Sequence, residues 1–176
     1  MTLCLETPRL EMPACHQTLC EAILRGDVYL GEFLQARIAS GWNSFGDEIF
    51  AFNLARTQED PEAYIWWSYL VIEKSSRTLI GACGYKGRPN KMGEVEIGYE
   101  IAPDYRNRGY ATELSQCLIQ YARRYPEINT VKAHTLSFES PSTQVLRKCG
   151  FTFTEELFDP DDGILWQWKL PLKPVA

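Results

Sequence analysis

The stretch Ile101-Ala-Pro-Asp-Tyr-Arg-Asn-Arg-Gly-Tyr-Ala111 decides how the rest of the chain is read. It begins inside an alternating run, Glu94 to Ala102, with Val95, Ile97, Tyr99 and Ile101 on one face and Glu94, Glu96, Gly98 and Glu100 on the other. A period of two predicts a strand with one face in a core. The stretch ends in Tyr110 to Tyr125, where Ala111, Leu114, Cys117, Leu118, Tyr121, Ala122 and Tyr125 recur at three and four, an amphipathic helix stopped by Pro126. Between the two lies a short basic loop. A helix N-terminus presents unpaired N–H groups and a partial positive charge, so the arrangement is a candidate anion site. Gly109 lets backbone approach a phosphate, Ala111 keeps the first turn open, and Arg106 and Arg108 add charge. Each well-made charge-assisted hydrogen bond to a diphosphate here would contribute about 1.5 to 3 kcal/mol. The same residues also suit a solvated strand-to-helix connection, and taken alone they leave both readings open.

Working outward, Thr130 to Leu136 reads as a further central strand and Ser140 to Lys148 as a short helix closed by Gly150. Thr152 to Phe158 and Ile164 to Leu170 pair around Asp159-Pro-Asp-Asp-Gly163. On the other side, Tyr64 to Ile72 is rich in aromatic and β-branched residues, and a turn at Lys74 to Thr78 makes it a hairpin with Leu79 to Tyr85. Leu3 to Glu6 reads as an edge strand, Gln17 to Arg25 as a helix ending at Gly26, and Tyr29 to Asp60 as helical segments and loops. With no repeat, low-complexity tract or linker, residues 1–176 read as one α/β domain.

Composition narrows the function. Hydrophobic residues at 45% and charged residues at 23% suit a soluble protein, and no apolar run reaches the roughly eighteen residues of a membrane span. The opening Met-Thr-Leu-Cys-Leu-Glu-Thr-Pro lacks the basic start and apolar core of a signal peptide, which predicts a cytoplasmic protein with reduced cysteines. A net charge of −5 argues against nucleic-acid binding and mildly favours cationic partners. The six cysteines include no Cys-x-x-Cys pair, and Cys15-His16 with Cys20 lacks the second ligand pair of a zinc site, so no metal is expected. There is no G-x-x-x-x-G-K-(S/T), and Gly81, Gly84 and Gly87 have the wrong spacing for a dinucleotide fingerprint; they read as strand and turn residues.

At the loop the sequence resembles the GNAT acetyltransferase superfamily, whose acetyl-CoA motif (Q/R)-x-x-G-x-(G/A) is matched by Arg106, Gly109 and Ala111. Leu5-Glu-Thr-Pro-Arg-Leu10, Glu96-Ile-Gly-Tyr-Glu-Ile-Ala-Pro103, Ala111-Thr-Glu113 and Val145-Leu-Arg-Lys-Cys-Gly-Phe151 are similar in order and spacing to the RimJ/RimL-like branch. The resemblance is strongest from Gly81 to Phe151 and weakest from Val28 to Asp60. It implies a mixed, mostly antiparallel sheet of six to seven strands, splayed at the cofactor site and flanked by about four helices. It also implies acetyl-CoA as co-substrate, held by the backbone of Arg106, Asn107, Arg108, Gly109, Tyr110, Ala111 and Thr112, with Ile101 offering main-chain bonds to the pantetheine arm. The activity implied is direct acetyl transfer to a primary amine, on a protein N-terminus or a small molecule.

Direct transfer needs a base for the amine and a proton for the leaving thiolate. Glu96 is the candidate base, with Glu94 and Glu100 on the same nominal face and a solvated face as the alternative for all three. Ser142 stands where the branch's N-x-x-S pattern places a serine, and can hydrogen-bond the CoA sulfur or simply cap the helix. The pattern's asparagine is Glu139 here, and Leu146 occupies the position of the tyrosine acid found in many members. Those two departures keep open a non-catalytic acetyl-CoA-binding protein of the same fold. His134 faces the expected gap, although a lone strand histidine is more often structural. Trp42, Phe45, Trp66 and Trp67 are candidates for an acceptor pocket or for core, and an exposed terminal strand leaves a homodimer open.

Overall fold

The computed structural model describes residues 2–172; Met1 and residues 173–176 of the expected domain lie outside the described residues. The chain runs β1 (Cys4–Glu6), β2 (Leu10–Pro13), α1 (Gln17–Leu24), α2 (Asp27–Leu34), β3 (Arg37–Ile38), α3 (Glu48–Glu59), β4 (Ser68–Glu73), β5 (Thr78–Tyr85) and β6 (Glu94–Ile101). It continues through α4 (Tyr110–Ala122), β7 (Thr130–Leu136), α5 (Pro141–Lys148), β8 (Thr152–Asp159) and β9 (Gly163–Pro171), with 3-10 turns at Pro61–Trp66 and Pro103–Tyr105. One nine-stranded sheet has the order β1-β2-β4-β5-β6-β7-β9-β8, with β3 paired to β5. Among the described residues only β3 with β5 and β6 with β7 are parallel. The α/β class is the one the pattern predicts, and the mixed, mostly antiparallel sheet is the one the resemblance implies.

The strand count exceeds the expected six to seven, and five α-helices replace the expected four. The surplus strands are β2, short and ended by Pro13, and the two-residue β3, held only by its pairing with Thr78 and Leu79. Neither has the length to show a period. The aromatic run from Tyr64 also starts differently: Asp60 caps the turn by accepting from the Glu62 N–H, Pro61 supplies its first residue, and extended pairing begins at Ser68.

The sheet is buried on both faces at its central strands β4 and β5. On one, α4 and α5 cover Met12, Tyr69, Val71, Val95, Ile97, Val131 and Trp168 with Leu114, Leu118 and Leu146. On the other, α1 to α3 cover Leu70, Ile72 and Leu79 with Leu19, Ile23, Leu30 and Phe50. Trp66 joins the first core and Trp42 the second, where the Trp42 indole N–H donates to Asp27. Cys15 and Cys20 are buried with them; the Cys20 thiol donates to the Cys15 carbonyl at 3.3 Å, and burial pushes it up to about 12. Among the described residues no helix is long and apolar enough to cross a membrane.

Two strand glycines let β4, β5 and β6 approach one another. A Cβ on Gly81 would lie 2.1 Å from the Glu100 carbonyl oxygen, and one on Gly84 would lie 2.1 Å from that of Trp67. The Gly81→Ala variant must displace backbone, so it should lose about 3 kcal/mol of stability. Denaturant unfolding measures this; a loss within about 0.5 kcal/mol of zero would show that the strands are not held at this spacing.

Candidate functional site

The site is built where two neighbouring strands stop being neighbours. β6 and β7 pair only at Glu94–Glu96 against Thr130–Lys132, and then diverge, while β7 stays paired with β9 along its whole length. The closed end is pinned. Glu94 accepts from Lys132 at 3.0 Å, from Lys169 of β9 at 2.9 Å and from the Asn90 side chain, while Asn129 donates to the Gly93 and Met92 carbonyls. Hydrogen bonds from Asn90, Lys169 and Lys132 hold the Glu94 carboxyl down at about 2.

Beyond the pinned end, the direction of the β6 backbone follows from its bonds to β5. The Lys86 N–H donates to the Glu96 carbonyl at 2.9 Å and the Ala102 N–H to the Ile80 carbonyl at 2.7 Å, so even-numbered residues bond toward β5. Tyr99 and Ile101 therefore turn their main-chain groups into the gap. The Ile101 carbonyl already accepts from Arg106 Nε at 2.9 Å, which leaves its N–H as the group facing the opening.

The basic loop follows directly. Asn107 (φ 60°) and Gly109 (φ 81°) are both left-handed, and this turns successive N–H groups the same way. Among the described residues the N–H groups of Asn107, Arg108, Gly109, Tyr110, Ala111 and Thr112 have no acceptor; the first helical bond runs from Glu113 to the Gly109 carbonyl. A Cβ on Gly109 would meet only the end of Arg9, at 3.4 Å. Arg108 donates to the Asp104 carbonyl and stacks on Tyr105, so it braces the loop as well as charging it.

Two motifs far apart in sequence meet behind this loop. Arg9, between β1 and β2, donates through Nε to Glu113 at 2.6 Å and through its terminal nitrogen to the Arg108 carbonyl at 2.9 Å, and stacks on Tyr110. Thr7 also donates to Glu113, and the Tyr110 hydroxyl donates to Glu73 at 3.1 Å. Burial by itself would raise the Glu113 carboxyl, but its bonds to Thr7 and Arg9 hold it below its ordinary value.

The gap opens into a cavity of about 350 Å³, reached from β4, β5, β6, β7, α5 and the approach to α3. Its walls include Tyr85, Ile97, Tyr99 and Leu146, and its polar groups include Ser68, Lys86, Glu100, His134, Thr135 and Ser142. Glu96 stands at the closed end, where one carboxylate oxygen meets His134 Nδ1 and Lys86 Nζ, each at 2.8 Å. Burial pushes the Glu96 carboxyl up, but His134 and Lys86 outweigh it and hold the group at about 2. Glu100 instead accepts from the Ser44 N–H and hydroxyl, tying down the loop that presents Phe45.

Several sequence candidates separate here. Ser142 lines the cavity and does not cap α5; Ser140 is the cap, in a reciprocal pair with Thr143. Glu139 is turned to Thr143 and, bidentately, to Arg147 at 2.6 and 2.7 Å. Leu146 is 1% exposed at the cavity wall and offers no proton. Of the four aromatic candidates only Phe45 lines the cavity, with 78% of its surface still exposed. Lys86 is a site residue that the sequence does not single out, because nothing in its local pattern sets it apart; its position directly after β5 is the only available signal.

Residues 26–152 match the family described as Acetyltransferase (GNAT) domain, and the chain belongs to that family. Among curated relatives, YjdG of Bacillus subtilis, described as an uncharacterized N-acetyltransferase, is 29% identical over 84 residues, 48% of this chain and 50% of that protein. The chain thus spans about half the length of the curated relatives it matches. The ribosomal L7/L12 α-N-protein acetyltransferase RimL, solved with coenzyme A, shares the fold with a TM-score of 0.70 at 15% identity, covering 97% of this chain and 98% of that one. The microcin C7 self-immunity acetyltransferase MccE, solved with acetyl-CoA and AMP, superposes with a TM-score of 0.67 at 12% identity over 94% of each chain.

The pinned end carries a pH signature. A carboxyl held at about 2 contributes stability that is complete above its ordinary value and fades as pH falls toward 2. Glu94→Gln should therefore melt below the native protein at pH 7, with the difference shrinking by pH 3. A difference that stays constant over that range would show that Glu94 is not held in this state.

Proposed function

We propose that the protein binds acetyl-CoA and transfers its acetyl group to an amine. The observation that carries the reading is the row of acceptor-free N–H groups from Asn107 to Thr112, set beside the strand edge left open by β6. A diphosphate suits the first, because it brings several acceptors to convergent donors at a helix N-terminus. The second suits an extended amide-bearing chain, because Tyr99 and the Ile101 N–H can pair with it as an added strand would. Gly109 leaves the approach clear and tolerates the left-handed turn.

The residues divide the work. Arg106 and Arg108 supply charge, while Arg9, Glu113 and Tyr110 hold the helix start in place. Acetyl-CoA supplies an activated thioester when bound. The cavity beyond Tyr99 receives the acceptor amine, and Ser142, which lines it from the first turn of α5 with no hydroxyl partner among the described residues, hydrogen-bonds the thiol. RimL is described as acetylating a protein α-amine, and both that class and small amines fit a cavity open at Phe45. Leu146 supports a second reading, a binding protein without turnover, because it removes a proton donor from the cavity wall.

Calorimetric titration with acetyl-CoA, CoA, ATP and NAD tests the cofactor, and thiol release with a panel of amines and short peptides tests turnover. We expect micromolar acetyl-CoA binding and weak responses to ATP and NAD; no binding of either CoA species would withdraw the reading. Binding without thiol release would favour the second reading. Gly109→Val should weaken acetyl-CoA binding at least about a hundredfold, since a β-branched residue cannot hold φ near 81° and several charge-assisted bonds are lost together. Circular dichroism should be unchanged. An unaltered affinity would remove the loop from the cofactor site.

A further inference from the structure

Glu96 and His134 meet across the strands at the point where pairing ends. Glu96 is the last residue of β6 paired to β7, and His134 lies two residues beyond the paired part of β7. The carboxylate oxygen at 2.8 Å from Nδ1 also receives Lys86 at 2.8 Å, so it is a committed acceptor and His134 Nδ1 must be the donor. That selects between the two neutral tautomers: a neutral imidazole here carries its proton on Nδ1 and leaves the Nε2 lone pair free. Among the described residues Nε2 has no hydrogen-bond partner, and His134 lines the cavity whereas Glu96 does not.

We propose that His134 Nε2 is the base that takes the proton from the acceptor amine, and that Glu96 is a positioning residue acting through it. This rests on the acetyltransferase reading above. In the step an N–H bond of the acceptor ammonium breaks, an Nε2–H bond forms, and the electron pair stays on the amine nitrogen for attack. The imidazolium then faces the Glu96 carboxylate, which stabilises it, and returns its proton to solvent. Other charges around His134 are Lys86 at the end of β5 and Asp159 at the β8–β9 turn, whose field also reaches Lys86; Gln167 of β9 lies opposite. Glu96, held ionised well below the ordinary carboxylate range by its bonds to His134 and Lys86, is a weak proton acceptor and a strong anchor.

A merely structural histidine and a base differ in how they treat amines of different basicity. Acetyl transfer is measured at pH 7 in the full chain with 2-phenylethylamine, which is mostly protonated, and with hydroxylamine, which is mostly neutral, after subtracting the uncatalysed rate. His134→Asn keeps an N–H donor near Glu96 and removes the base. It should lose about a hundredfold or more with 2-phenylethylamine and only a few-fold with hydroxylamine, with acetyl-CoA affinity unchanged. Glu96→Gln should show a smaller loss with the same selectivity. Equal losses with both amines, or none, would overturn the assignment, as would absence of transfer to either amine in a native protein that binds acetyl-CoA. Nitrogen NMR of the imidazole reads the tautomer without any need for turnover: we expect the proton on Nδ1, and a proton on Nε2 with Nδ1 bare would refute the proposal even if the enzyme is active. Failure of the native protein to bind acetyl-CoA would instead sink the acetyltransferase reading.

Discussion

The rest of the structure depends on main-chain groups that the sheet leaves without partners. A strand in the middle of a sheet ordinarily bonds on both edges, and unpaired buried backbone is costly. Here β6 is bonded to β5 from Glu96 to Ile101 and loses its bonds to β7 after Glu96. Neither strand can swing back, because β7 is tied to β9 along its full length and β6 is drawn close to β5 at Gly81. The opening is therefore a permanent feature of the packing, with donors and acceptors lining one side and apolar walls from Ile97, Tyr99 and Leu146 around it.

The same logic governs the loop above. Six consecutive N–H groups without acceptors among the described residues would be an unstable ending for a buried helix, and here they are held by a frame that makes no use of them. Arg9 and Thr7 reach the helix through Glu113, Tyr110 reaches Glu73 on β4, and Arg106 and Arg108 bond to carbonyls of the residues just before them. Side chains brace the loop, and its backbone donors stay available. The segments Leu5–Leu10 and Ala111–Glu113, far apart in sequence, are thus joined directly, since Thr7 and Arg9 of the first contact Glu113 of the second.

Charge near the opening is arranged by depth. Glu94 neutralises two lysines where the strands are still joined, Glu96 neutralises one lysine and orients a histidine where they part, and Glu100 anchors the Ser44 loop farther out. Three carboxylates on one strand face thus have three different tasks. Neighbouring strands and loops set those tasks.

Periodicity and spacing in the sequence were enough to determine most of the elements and the position of the basic loop before α4, because these rest on contacts between residues close in sequence, while the family was legible only as a resemblance of motifs. Alternation over eight residues marks β6 whatever lies beside it, and Arg106-Asn-Arg-Gly109 before an apolar period of three and four marks a helix start. Short or capped segments escaped: β2 and β3 show no period, and Asp60-Pro61 turned a strand-like aromatic run into a 3-10 turn. Which carboxylate meets which cation was decided only by the tertiary structure. Register alone would set Glu96 against Lys132, yet Lys132 reaches Glu94, and Glu96 takes Lys86 and His134 instead. Those partners come from three strands whose spacing depends on twist and on glycines at the crossings, and a one-dimensional pattern contains no term for the distance between strands.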